Sequence, residues 1–260
     1  MKKHVLFILS LVLIVAGCSA PYKEFSEKEI RMEAKGAPPE DFIPKNIKVV
    51  SIGDSLTQGV GSGENVNGYI HFLKKDIEQL KGIKHAEFQN FGVKGNRTDQ
   101  LLKRLKNPAI KYNIQEAEAV IITIGGNDIM QVIKDNLLGL KVDTFSLAET
   151  GYRNRLQEIL MTVREYNSTA AIILVGIYNP FIKWFSDMKE MDMVVKNWNN
   201  VSAETVANYD NALFVPVDDI FKNNEESLLY TDYFHPNSRG YKKIAKRIFE
   251  YMEREDYIYQ

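Results

Sequence analysis

Two short stretches of this 260-residue chain hold residue types suited to nucleophilic catalysis. The first is Gly53-Asp54-Ser55-Leu56-Thr57, which follows the mostly β-branched run Val49-Val50-Ser51-Ile52. Gly53 permits a tight turn after a strand. A serine at such a strand-to-helix turn has an exposed Oγ, and the helix N–H groups there favour negative charge. The position suits a nucleophile. It is also an ordinary position for a helix N-cap, so the stretch alone leaves both readings open. The second is Thr231-Asp232-Tyr233-Phe234-His235-Pro236-Asn237. Of the four histidines, His4 falls in the leader, and His71 and His85 have no acidic or cysteine neighbour at useful spacing. His235 has Asp232 three residues before it. Pro236 biases it away from helical angles, so the imidazole is held on a loop. That spacing lets Asp232 orient the ring and stabilise its protonated form. One histidine and one aspartate are too few for a metal centre, and no metal or cofactor is called for.

Two further polar stretches lie between these. Asn90-Phe91-Gly92-Val93-Lys94-Gly95-Asn96-Arg97-Thr98 reads as a turn capped by Thr98, or as a loop aiming the Gly95 backbone N–H into a site. Ile124-Gly125-Gly126-Asn127-Asp128 reads as a turn with Asn127 or Asp128 as a cap, or as a loop presenting the Asn127 side-chain N–H donors to a ligand. No Gly-Lys-Ser/Thr follows, so it is not a phosphate loop.

The elements that must position these stretches alternate. Apolar runs over Ile47–Ile52, Ala86–Phe91, Ala119–Ile124, Ala171–Ile177 and Ala212–Val217 predict five buried strands. Helical patterns occupy Tyr69–Lys81, Thr98–Lys106, Asp128–Leu138, Leu147–Tyr166, Met193–Tyr209 and Ser238–Glu253. In the last, Tyr241, Ile244, Ala245, Ile248, Phe249 and Met252 share one face. The alternation predicts an α/β fold with a parallel sheet covered on both sides. In such sheets the site lies beyond the carboxyl ends of the strands. All but the last of the polar stretches follow a strand.

The near-neutral net charge of −1 gives no basic footprint for nucleic acid. A single cysteine excludes an internal disulfide framework. Lys2 and Lys3 precede the apolar run Val5 to Gly17, which is too short for an ordinary transmembrane helix and fits a signal peptide over residues 1–17. The run ends Val15-Ala16-Gly17-Cys18, which resembles the bacterial lipoprotein signal, with Cys18 as the lipidated residue; an ordinary signal with an incidental cysteine is the alternative. Residues 18–46 carry Pro21, Pro38, Pro39 and Pro44 among charged residues and read as a tether. Residues 47–260 are then the folded domain.

Taken together, Gly-Asp-Ser-Leu at 53–56, Gly95, Gly-Gly-Asn-Asp at 125–128 and Asp-Tyr-Phe-His at 232–235 resemble, in order and separation, the four blocks of the SGNH (GDSL) hydrolase superfamily. The resemblance covers about Lys48 to Met252. It implies a three-layer α/β/α sandwich with a five-stranded parallel sheet, of the flavodoxin-like kind. It implies Ser55 as nucleophile, His235 as general base and Asp232 as the orienting acid. The oxyanion hole would be the Ser55 and Gly95 backbone N–H groups with the Asn127 side chain. Asp54 and Asp128 read as structural. The signal and tether also resemble Gram-positive membrane-anchored members of the YpmR-like, lysophospholipase-like group. No Gly-x-Ser-x-Gly surrounds Ser55, so the α/β-hydrolase elbow is not the match.

Tyr178 to Trp198 departs most from the family pattern. Its Phe181, Trp184 and Phe185 either pack a small core of their own or form an apolar wall or lid over the site. The expected function is an extracytoplasmic, membrane-anchored serine esterase acting on acyl lipids or small acyl esters. The alternatives are a deacetylase of cell-wall or other polysaccharide and a non-catalytic binding lipoprotein that keeps the fold.

Overall fold

The computed structural model describes residues 43–64, 66–136, 139–180 and 190–254. Five parallel strands form one sheet: β1 (Lys45–Gly53), β2 (Ile83–Gly92), β3 (Ala119–Thr123), β4 (Ala171–Val175) and β5 (Ala212–Val215). Their spatial order is β2-β1-β3-β4-β5. The chain runs from β1 to one edge and then returns across to β3. The direction of winding therefore reverses between β1 and β3, where open α/β sheets place their ligands.

The helices are α1 (Ser55–Gln58), α2 (Gly68–Glu78), α3 (Thr98–Arg104), α4 (Pro108–Gln115), α5 (Gly126–Asp135), α6 (Val142–Tyr166), α7 (Glu190–Val206), α8 (Asp218–Phe221), α9 (Glu225–Leu228) and α10 (Ser238–Arg254). Successive strand residues point to opposite faces. Val50, Ile52, Val120, Ile122, Ile172 and Leu174 pack on one face with residues of α3 to α7. Val49, Ile121, Ile173 and Val215 pack on the other face with Tyr69, Leu73 and Ile77 of α2 and Tyr241, Ile244 and Ile248 of α10. The result is three layers, helices over sheet over helices.

β3 and β4 are buried along their whole length. β2 departs from the expected buried strand, because as an edge strand it leaves several side chains exposed or half-buried. α4 has no counterpart among the expected helices. Asn107 caps it by accepting the Ala109 N–H at 2.8 Å, and Pro108 fills its first turn, where the missing N–H costs nothing. No helix among the described residues is long and apolar enough to cross a membrane.

Candidate active site

Ser55 is the first residue of α1, not its cap. Asp54 is the cap, with its Oδ1 accepting the Leu56 N–H at 3.0 Å. The turn is possible because Gly53 takes φ +141°, and a Cβ there would lie 2.0 Å from the Thr123 carbonyl oxygen. β1 thus crosses the end of β3 at backbone contact, and the Asp54 N–H donates to that same carbonyl at 3.0 Å.

Under this turn lies a buried polar chain. Thr123 Oγ1 donates to Asp54 Oδ1 at 2.8 Å. Thr57 Oγ1 is 2.8 Å from Thr123 Oγ1 and 3.1 Å from the Tyr69 hydroxyl. Burial pushes the Asp54 carboxyl up to about 7, against the opposing hydrogen bonds from Thr123 and Leu56. These contacts give Asp54 the structural role expected of it. Asp128 has one too: it accepts the Thr98 N–H at 3.0 Å and pairs with Arg155 Nη2 at 3.2 Å, which anchors α3 to α5.

Asn127 lies in the first turn of α5, whose N-cap is Gly125 at φ +114°. A Cβ on Gly125 would come within 2.8 Å of Ile177 Cδ1 and 2.9 Å of the Tyr152 ring. Neither Asn127 nor Asp128 is the cap. Asn127 Nδ2 instead donates to the Asn96 carbonyl at 3.0 Å, tying α5 to the loop that carries Gly95. Gly95 is exposed and takes φ +81°. Arg104 braces this loop from behind. Its Nη1 donates to Asn96 Oδ1 at 2.9 Å, and its Nη2 donates to the Phe91 carbonyl at 2.7 Å.

His235 is buried on the loop before α10. Its Nδ1 lies 2.6 Å from Asp232 Oδ2, while Asp232 Oδ1 accepts the Phe234 and His235 backbone N–H groups at 3.0 Å each. Burial opposes the Asp232 carboxylate, but these three bonds outweigh it and hold its pKa below the ordinary carboxylate value. With the Nδ1 proton directed to Asp232, Nε2 is the ring nitrogen able to accept a proton. Gly61, at φ +88°, abuts this loop: a Cβ on it would lie 2.7 Å from the Pro236 carbonyl oxygen and 3.2 Å from His235 Cβ. Among the described residues no hydrogen bond joins Ser55 Oγ to the imidazole.

Ser55 and Asn127 share a cleft of about 430 Å³, open mouth included, with Asp54, Leu56, Ile124, Val175, Ile177, Tyr178, Pro180 and Phe234. Most of that lining is apolar, with a few polar groups among it, as in sites for small organic ligands. The Tyr178 hydroxyl donates to the Phe234 carbonyl at 2.6 Å, which fixes the cleft wall to the loop carrying His235. Gly95 is not among the residues lining the cleft; the next residue, Asn96, is joined to Asn127 by the bond above. Cys18, Phe181, Trp184 and Phe185 lie outside the described residues. His85 has an acidic partner that its sequence spacing hides, Glu78 Oε1 at 2.8 Å. It sits opposite Asn46 near the start of β1, however, at the far end of the sheet from Ser55. Among the described residues no group of three or more His, Cys, Asp or Glu side chains is arranged to hold a metal ion.

A five-stranded parallel sheet between two layers of helices, with a serine-bearing cleft at its switch point, is the fold of SGNH hydrolases. The chain matches the GDSL-like lipase/acylhydrolase family over residues 51–243 and belongs to that family of ester-hydrolysing enzymes. It is 34% identical over 258 residues to the uncharacterized protein YpmR of Bacillus subtilis (strain 168), covering 98% of each chain. It is 25% identical over 209 residues to the spore germination lipase LipC of Bacillus licheniformis, covering 78% of this chain and 94% of that one. The lipase Lip_vut3 from a goat rumen metagenome superposes with a TM-score of 0.70 at 24% identity, over 78% of this chain and 95% of its own.

Proposed function

We propose that the chain is a serine esterase that cleaves acyl esters through a Ser55–His235–Asp232 triad, acting outside the cytoplasmic membrane from a lipid anchor on Cys18. The observation that carries the esterase reading is the apolar cleft with Ser55 and Asn127 on its wall, next to a loop where Asp232 holds the His235 ring at 2.6 Å. Ser55 Oγ attacks the acyl carbonyl while His235 Nε2 takes its proton. The carbonyl oxygen becomes an oxyanion facing the Ser55 and Gly95 N–H groups and the Asn127 amide. His235 returns the proton to the departing alcohol, and water repeats the sequence on the acyl-enzyme. Asp232 stays ionised throughout, in keeping with its lowered pKa.

The apolar lining supports a lipase- or lysophospholipase-like acyl group over an acetylated glycan, because Leu56, Ile124 and Ile177 offer a chain apolar contact and a sugar few polar partners. The test is a panel of acyl esters from acetyl to long chain, with a lysophospholipid and an acetylated glycan included. Turnover that rises with acyl length supports the reading. Turnover confined to the acetylated glycan overturns the lipid assignment, and no turnover with no labelling by a serine-reactive phosphonate overturns the esterase.

A further inference from the structure

One buried hydroxyl connects the two halves of the site. Tyr241 lies in the first turn of α10, six residues after His235, and is fully buried. Its phenol O–H donates to the Val60 carbonyl at 2.8 Å and comes within 3.5 Å of the Ser55 carbonyl. The Ser55 carbonyl also accepts the Gly59 and Val60 N–H groups at 3.0 Å each. Those bonds close the single turn that begins at Ser55. Tyr241 therefore grips that turn at its closing end. The next residue, Gly61, is the one with room for nothing larger than hydrogen beside His235 and Pro236. The segment Val60–Gly61 is thus a spacer between the turn carrying Ser55 and the loop carrying His235, and Tyr241 fastens the spacer to the element on which His235 depends.

From this geometry we infer that Tyr241 is a positioning residue: its hydroxyl, through the Val60 carbonyl, sets the separation of Ser55 from His235. The inference rests on the triad reading given above. The aromatic ring alone would fill the space between α2 and α10, so packing explains a phenylalanine there but not the hydroxyl. Serine–histidine transfer depends steeply on the distance between the two groups, and a shift of about 1 Å can cost on the order of 10²-fold in rate. Losing one hydrogen bond to a partly exposed segment costs the fold far less.

The test is Tyr241→Phe in the full folded chain, on a soluble short-chain ester, with the rate of labelling by a fluorophosphonate measured in parallel. The inference predicts that kcat and the labelling rate fall together by about tenfold to a hundredfold, with KM within about twofold of the parent. Labelling reads the alignment of serine and histidine without reading substrate binding, so a purely structural role would not move it at a temperature where the variant is folded. Gly61→Ala pushes on the same spacer from the His235 side and is predicted to slow labelling likewise. If Tyr241→Phe lowers the melting temperature, rates are taken per folded molecule below that transition, and an unchanged labelling rate there overturns the inference. So does a rise in KM with kcat intact. Ser55→Ala separates the two levels: if it retains labelling and turnover, the triad reading fails; if it loses both while Tyr241→Phe is indistinguishable from the parent, only the positioning role fails.

Discussion

Asn127 Nδ2 donates a 3.0 Å hydrogen bond to the carbonyl of Asn96, the residue immediately after Gly95. The bond joins the loop after β2 to the first turn of α5 after β3, and it brings two of the proposed oxyanion donors under one constraint. Because Gly125 holds the N-cap position of α5, Asn127 has no capping duty to perform.

Replacing Asn127 by alanine should therefore act on chemistry more than on folding. A lost oxyanion donor lowers kcat by roughly 10²–10³, about 2.7–4 kcal/mol, with KM little changed. The lost bond to Asn96 contributes only about 1 kcal/mol to stability. Asn127→Asp should be slower still, since it places a negative charge where the oxyanion forms. Steady-state kinetics with thermal unfolding alongside are the check; an earlier melt with nearly full kcat would leave Asn127 a structural tie.

Asp54 gives a pH signature of its own. Its carboxyl is raised from 3.8 in the free residue to about 7 by burial. Between those values the native chain holds a proton that the unfolded chain has released, so stability falls as pH rises through the window. Asp54→Asn, which keeps an acceptor for the Leu56 N–H, should flatten this dependence. Urea midpoints measured from about pH 4 to pH 7 test it. The parent should lose stability across that range more steeply than the variant, and parallel curves would assign the slope to other groups.

The strands are legible in the sequence because each is a short apolar run bounded by turn residues. Their burial is not, since composition cannot say which strand becomes an edge; β2 shows this with its exposed Lys84, His85 and Glu87. α4 is marked by Asn107-Pro108, a cap followed by a first-turn proline, which is a stronger sign than its eight residues of weak periodicity. α6 begins at Val142 rather than Leu147, because Phe145 adds a buried turn ahead of the long apolar stripe. In the candidate site, the residues proposed to meet substrate sit in local motifs and can be read. Thr123 and Tyr241 support them across separations of 69 and 181 residues, and Arg104 across 8 and 13. Periodicity marks Tyr241 only as part of an apolar face and says nothing of its hydroxyl.

The cleft wall predicts a chain-length effect. Ile177 lines the cleft beside Ile124 and Tyr178. A buried methylene is worth about 0.8 kcal/mol at full transfer, or about fourfold in kcat/KM. Ile177→Ala should lower kcat/KM progressively as the acyl chain lengthens, by no more than that factor per methylene in contact, and should leave acetyl esters nearly unchanged. Equal losses on every ester would mark Ile177 as packing against Gly125 and nothing more.

For the anchor proposed at Cys18, Cys18→Ser should abolish lipid modification and move the protein from the detergent phase to the aqueous phase. A single acyl chain binds membranes only marginally, so stable attachment requires more than one chain on the modified cysteine. Detergent partitioning of the variant unchanged from the parent would refute lipidation at this residue.

The proposed nucleophile is Ser55, activated by the His235–Asp232 pair. Its most direct measurement is mass-spectrometric mapping of the adduct formed with a fluorophosphonate, in the parent, in Ser55→Ala and in His235→Ala. One adduct per chain is expected on Ser55, none in Ser55→Ala, and labelling slowed by at least about a hundredfold in a folded His235→Ala. An adduct on any other residue, or turnover that survives in Ser55→Ala, would contradict it.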